Sequence, residues 1–256
     1  MLEIETCYSL SLIPYATYDE LEEYAEALVW DFSPYRLYVP GVIDVEGFVE
    51  YYLSLTVDYR CIHFNRKILG MTAFSGGVLD VMSEETWQLE KIMVRTGTVI
   101  IDTTLTLIRN LPRLRFTIIH EGCHWLLHRR AFADKNPFRF ARIYENQYLA
   151  TKEGTTDIGV SDKERNDIDL MERQADFLAA AILMPRPALR VALKDYFKSI
   201  GEKPHRIVRG ISPMDDCHSK QLTEYVATIF NVSKRAALIR LEKLTAIVDR
   251  WYGQRH

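Results

Sequence analysis

The five residues His120-Glu121-Gly122-Cys123-His124 constrain this chain more than any other stretch, because their chemistry requires them to be helical. Residues four apart on an α-helix stand one turn apart on the same face, so both imidazoles can reach one ion at roughly 2.0 to 2.1 Å. Glu121 then lies about 100° further round than His120, which sets its carboxylate beside such an ion rather than on it. From there it can act as a general base. The flanking residues, Leu114 to Arg130, carry helical periodicity, as the spacing demands. Seven histidines in 256 residues make an HExxH pattern by accident on the order of once or twice in a hundred such chains. The motif therefore needs a further ligand before it counts as a site.

A catalytic zinc usually has three protein ligands and one open position. A second helix, expected over Asp167 to Leu183, offers Glu172 and Asp176, again four apart and on one face. One reading sends both carboxylates to solvent while Leu178, Ala179, Ile182 and Leu183 make the core. Beside the histidine pair, the favoured reading puts Glu172 on the metal and Asp176 behind a histidine, held to its free ring nitrogen, with the exchanged assignment still open. His128 continues the four-residue series, but each step drifts about 40° and climbs about 6 Å, so it is read as structural. Cys123 is read as a small buried packing residue.

Strands are expected early in the chain: Cys61 to Phe64, Ile68 to Phe74, a Ser75-Gly76-Gly77 turn, Val78 to Val81, and Thr98 to Ile101. Ser83 to Val94 reads equally as helix or strand. Helices are expected at Tyr18 to Trp30, at Val45 to Leu53, and from Leu114 onward at Pro187 to Ser199, Ser219 to Phe230 and Ser233 to Trp251 besides the two named above. Strands first and helices later indicate an α+β fold rather than an alternating parallel sheet. The polar connection from Ala131 to Asn166 is long for a compact domain. The organisation expected is a domain over 1–185 and a basic helical region over 186–256. That C-terminal region holds 14 Lys/Arg against 7 Asp/Glu, and the rest 18 against 28, so a net charge of -3 conceals a basic end on an acidic body. Such asymmetry marks either a solvated face or a contact with nucleic acid.

Four cysteines, Cys7, Cys61, Cys123 and Cys217, contain no CxxC pair and fit neither a disulfide framework nor a cysteine zinc site. Met1 to Pro14 lacks a basic start followed by an apolar run, and no stretch approaches the roughly 18 apolar residues of a membrane span. A cytoplasmic location with no membrane partner is the expectation.

Three blocks resemble the ImmA/IrrE family of zinc metallopeptidases: Arg115 to His128, Glu172 to Pro185 with its Glu-x-x-Ala and terminal Leu-Met-Pro, and more weakly Phe230 to Leu241. They cover the middle and C-terminal half, and residues before Lys91 add little. The resemblance implies a zincin-like fold, a small β-sheet with the HExxH helix and a mainly helical C-terminal part. It implies one Zn2+ per chain held by His120, His124 and Glu172, with Glu121 as the base. It also implies a narrow substrate, a helix-turn-helix DNA-binding repressor whose cleavage releases transcription. The order Gly122-Cys123 departs from the family's usual apolar residue followed by glycine, at a helix cost of about 1 kcal/mol. Ser219 to Leu244 reads as a helix, a short Asn231-Val232-Ser233 break and a second helix, so that nucleic acid, if bound, would meet Lys234, Arg235 and Arg240. Two other classes fit the same residues: a zinc-binding regulator that does not cut, and a DNA-binding protein with a structural metal.

Overall fold

The computed structural model describes residues 13–62, 68–132 and 162–249. The chain is α+β, with short strands in its first half and helices dominating its second. Of the described residues, 13–18 and 45–179 form one compact unit, and 19–44 and 180–249 form another.

In the first unit, a short helix α2 (Val45–Gly47) runs on as a π-helical turn over Phe48–Tyr52. Three strands follow as one sheet: β1 (Thr56–Arg60), β2 (Gly70–Ala73) and β5 (Thr98–Asp102), in the order β1-β5-β2. All five residues of β5 are buried, as its apolar Val99-Ile100-Ile101 centre requires of a central strand. β1 pairs with β5 in parallel and β2 pairs with it antiparallel, Thr72 lying opposite Val99. Between them, β3 (Gly77–Met82) and β4 (Leu89–Val94) make a separate antiparallel ribbon. The ambiguous segment from Ser83 to Val94 thus ends as a strand. β1 went unexpected, and of the strand expected at Cys61 to Phe64 only Cys61 and Ile62 are described, Cys61 bridging to Met82.

Asp102 closes β5 and is fully buried, accepting hydrogen bonds from the backbone N–H groups of Ile62 and Thr104. The chain then enters α3 (Leu111–Phe132), 22 residues long and finishing on Arg129 and Arg130, cations that suit a helix C-terminus. Ile118, Ile119, Cys123 and Leu127 bury one side of it. Gly122 packs closely: a Cβ there would stand 3.2 Å from side-chain methyls of both Val49 and Leu53, a tight contact that either neighbour would have to relieve by a few tenths of an ångström. Helix α4 (Asp162–Leu183) follows, and the connection expected between α3 and α4 lies, over 133–161, outside the described residues. Phe132, Ile168 and Met171 meet Ile13 and Phe74 in a common core against Trp125.

The second unit contains nearly all of α1 (Tyr18–Phe32), the end of α4, then α5 (Arg186–Ser199), α6 (Pro213–Phe230) and α7 (Lys234–Lys243), with β6 (Ile207–Arg209) parallel to β7 (Ile247–Asp249). Residues 19–44 fall with the C-terminal part. The cause is α1, whose Leu21, Leu28 and Val29 are wholly buried and whose Glu22 and Glu26 bond to Arg240 and Arg186. Ser212 and Ser233 cap α6 and α7, each accepting from the backbone N–H three residues on. The helix expected from Ser233 to Trp251 is shorter than that. It stops at Lys243, the chain turns with Thr245 at φ 57°, and Ile247–Asp249 pairs with β6 instead. Local periodicity could not register a strand partner 40 residues upstream. Among the described residues no helix is long and apolar enough to cross a membrane.

Candidate metal centre

Helix α3 delivers His120, Glu121 and His124, and α4 brings Glu172 up to the two rings. The Nε2 atoms of His120 and His124 lie 3.0 Å apart. Glu172 spans them, Oε2 3.3 Å from His120 Nε2 and Oε1 3.3 Å from His124 Nε2. One ligand atom from each residue falls within 4.8 Å of the others. Donors bound to one ion at roughly 2.0 to 2.1 Å and tetrahedral angles stand about 3.3 to 3.4 Å from each other, so the spacings here, the two to Glu172 being to different oxygens, are close to those of a zinc site. Two imidazoles and a carboxylate are also a donor set that zinc takes.

Burial is graded across the triangle: the His124 side chain is 0% exposed, His120 12% and Glu172 30%. Solvent therefore reaches the site past Glu172. Burial alone would raise the Glu172 carboxyl, but hydrogen bonds from His120 and His124 outweigh it and hold it well below the usual carboxylate range. Burial likewise would lower His120, yet Asp176 and Glu172, with the charge of Glu121, push it up to about 10. Both directions say the same thing: the carboxylates create a demand for positive charge at the point where the Nε2 atoms converge.

Asp176 stands beside the His120 ring. Its Oδ1 lies 3.0 Å from His120 Nδ1, although off the N–H axis, since Nδ1 forms no well-angled hydrogen bond among the described residues. Glu121 is 5% exposed and reaches β2, where Thr72 Oγ1 lies 2.8 Å from its Oε2 and 3.0 Å from its own backbone oxygen. One hydroxyl hydrogen serves one of these acceptors at a time. Gly70 clears the space beside them, because a Cβ there would stand 2.9 Å from Glu121 Oε1 and 2.7 Å from Thr117 Cγ2. Sequence reasoning missed Thr72 and Gly70 altogether.

It also set His128 aside as structural and did not consider Gln174. His128, 0% exposed, places Nδ1 3.0 Å from His124 Nδ1 and Nε2 3.0 Å from Gln174 Oε1. Gln174 Nε2 donates to the Pro14 carbonyl at 2.7 Å. Burial and the charge of His124 lower His128 to about 3. The four-residue repeat of histidines was the available signal. Cys123 is fully buried, and burial, then the charges of Asp176 and Glu121, raise its thiol well above the ordinary value, which suits packing rather than reactivity.

The three basic residues expected to face nucleic acid part company. Arg235 is exposed, and Lys234 is exposed but paired with Glu224. Arg240 corrects the expectation: it is 1% exposed, with NH1 and NH2 on Glu22 and Nε and NH2 on the Met184 carbonyl. A guanidinium enclosed by its own chain has no donor to offer a phosphate.

Residues 147–242 match the model of a peptidase family described as the IrrE N-terminal-like domain. Over that segment the chain is similar to the ImmA/IrrE peptidase family. It is a family of metallopeptidases, and peptidases act on protein substrates. The matched segment contains Glu172, Asp176, α5, α6 and α7 to within one residue of its end. His120, Glu121 and His124 lie upstream of it, so their assignment rests on spacing and on the triangle of distances. Among curated proteins no relative matches this chain.

Proposed function

We propose that this chain is a zinc-dependent endopeptidase of narrow specificity, zincin-like in arrangement. The observation that carries the proposal is the convergence of His120, His124 and Glu172 on one point, with the buried Glu121 carboxylate next in sequence. A zincin-like site sets its metal-binding helix along a small sheet. Here α3 lies on β2, with Thr72 bonded to Glu121 and Gly70 facing Thr117. The described residues supply three ligands, the number typical of a catalytic zinc, where a structural zinc is closed by four.

His120 Nε2, His124 Nε2 and one Glu172 oxygen would hold the ion. When bound, it supplies Lewis acidity, polarising the scissile carbonyl and making water a nucleophile near neutral pH. The rest of the work falls to the chain's own groups. Glu121 accepts the proton of the attacking water at a carboxylate oxygen and returns it to the leaving amine nitrogen. Thr72 and the room left by Gly70 keep that carboxylate aimed. Asp176 orients the His120 ring.

The substrate we propose is a DNA-binding regulatory protein of the helix-turn-helix type, supported by the family resemblance, with cleavage in the cytoplasm regulating transcription. A non-cutting zinc-binding regulator shares the ligands but has no need of Glu121. The test is direct: incubate a repressor encoded beside this chain with wild type and with Glu121→Gln, and follow the products by mass spectrometry. Cleavage by wild type alone supports the peptidase reading. Equal cleavage by both removes Glu121 from the mechanism, and none by either, with zinc bound, favours the regulator.

A further inference from the structure

The polar chain behind His124 has only one self-consistent direction. Gln174 Nε2 lies 2.7 Å from the Pro14 carbonyl oxygen, an atom that can only accept. Turning the amide over would set two oxygens against each other, so the amide N–H must face Pro14 and Oε1 must face His128. Oε1 also only accepts, and it lies 3.0 Å from His128 Nε2, which must therefore carry a hydrogen. At the next link the two Nδ1 atoms of His128 and His124 stand 3.0 Å apart, where one nitrogen has to be bare and the other an N–H. Burial at 0% exposure favours the neutral His128 ring. With its hydrogen on Nε2, that ring is bare at Nδ1 and accepts from His124 Nδ1–H. The hydrogen His124 gives up to become a ligand is then the one on Nε2, the atom that faces His120 and Glu172, and the lone pair a cation needs is exposed there.

We propose that His128 and Gln174 are positioning residues, anchored on the Pro14 carbonyl, that fix His124 as its Nδ1–H tautomer and hold Nε2 ready to bind a cation. The direction of the relay is set at its far end, by a backbone oxygen of a segment distant in sequence. Only the use made of the lone pair rests on the zinc reading above. A merely structural network would bury the same groups without imposing a tautomer on either ring. Removing the relay lets His124 place its hydrogen on Nε2, and that population cannot bind. Loss of an outer partner of a ligating histidine typically weakens metal affinity by roughly 10- to 100-fold.

The experiment uses the full chain labelled with 15N in its histidines, with and without zinc, and reads the ring nitrogens by long-range 1H–15N correlation. The expected result in wild type is His128 protonated at Nε2 and bare at Nδ1, and His124 protonated at Nδ1, in both samples. Gln174→Met and His128→Phe, checked for folding by circular dichroism, should bind zinc 10- to 100-fold more weakly in a chelator competition. In Gln174→Met the His124 ring should also show mixed tautomers. A wild-type His128 carrying its hydrogen on Nδ1 overturns the proposal, and so does a folded Gln174→Met with unchanged zinc affinity and an unchanged His124 spectrum. The wild-type spectrum needs neither a variant nor bound metal. A chain that failed to bind zinc would sink the peptidase reading and still leave the relay tested.

Discussion

Gly70→Ala tests whether β2 sets the aim of Glu121. The backbone at Gly70 does not have a positive φ, so alanine meets no conformational bar there and the effect is one of space. Its Cβ would arrive 2.7 Å from Thr117 Cγ2 and 2.9 Å from Glu121 Oε1, whereas carbon contacts settle at about 3.5 to 4.0 Å. Something must therefore give by about 0.8 Å or more at Thr117 and by a smaller amount at the carboxylate. Thr117 sits on α3, bonded to the Arg113 carbonyl, so the Glu121 side chain is the easier part to displace. A 1 Å misplacement of a reacting group costs up to about 100-fold in rate, and the variant is expected to lose roughly 10- to 100-fold in kcat. Overpacking adds a stability loss of about 1 to 3 kcal/mol. Zinc content should stay at the wild-type level, because none of the three ligands adjoins Gly70. The assay is turnover of the substrate that wild type cleaves, with metal per chain by elemental analysis and stability by urea unfolding. Wild-type kcat in a zinc-loaded Gly70→Ala would refute the reasoning, since the carboxylate would then have no need of the space.

Other perturbations separate the parts of the site. Glu121→Gln is expected to keep zinc and lose about 100- to 10,000-fold in turnover, the range of a general base, as product formation and metal analysis would show. Glu172→Ala should purify with much less zinc than wild type, and a zinc content equal to wild type would remove Glu172 from the ligand set. Thr72→Val takes away the hydroxyl that meets Glu121 Oε2 at 2.8 Å and should lower kcat by about tenfold, a charged hydrogen bond being worth about 1.5 to 3 kcal/mol in part shared with the backbone oxygen, while zinc binding is unchanged. In the second unit, Arg240→Met strands the buried Glu22 carboxylate and should cost about 3 to 5 kcal/mol in urea unfolding. Adding Glu22→Leu to it should recover most of that loss, because two apolar side chains replace the pair without leaving a charge behind.

What the sequence made legible followed from short-range periodicity. The spacing of His120 and His124 needed one helix, and α3 is that helix. Glu172 and Asp176 share a face four residues apart on α4, and both carboxylates stand at His120. What stayed hidden depends on contacts across long separations. Thr72 meets Glu121 only because β2 is registered against β5, and nothing within Gly70–Ala73 announces that pairing. Gln174 lies between the two acids but on the opposite border of the buried stripe of α4, and its partner Pro14 is 160 residues away. Arg240 looked like one more charge of a basic helix because Glu22, 218 residues distant, cannot be paired with it by inspection. Thr56–Arg60 is a different case: Val57 and Tyr59 alternate with Thr56, Asp58 and Arg60, a period-2 signal that was open to reading but short, and parallel pairing with β5 completes the strand.

The same division explains how the centre is built. One rigid helix fixes the spacing of His120, Glu121 and His124, but helical geometry leaves the rotation of each ring and carboxylate free. Each of the three meets a different neighbour: His120 has Asp176 of α4 3.0 Å from its Nδ1, Glu121 has Thr72 and Gly70 on β2, and His124 has His128, Gln174 and the Pro14 carbonyl. Spacing alone would give two imidazoles near each other, whereas a nucleophile and a cation need lone pairs pointed at one place. The supports come from separate segments, so they are open to separate perturbation. Changes at β2 should act on turnover and those behind His124 on metal affinity, and a site held only by general packing would instead lose both together.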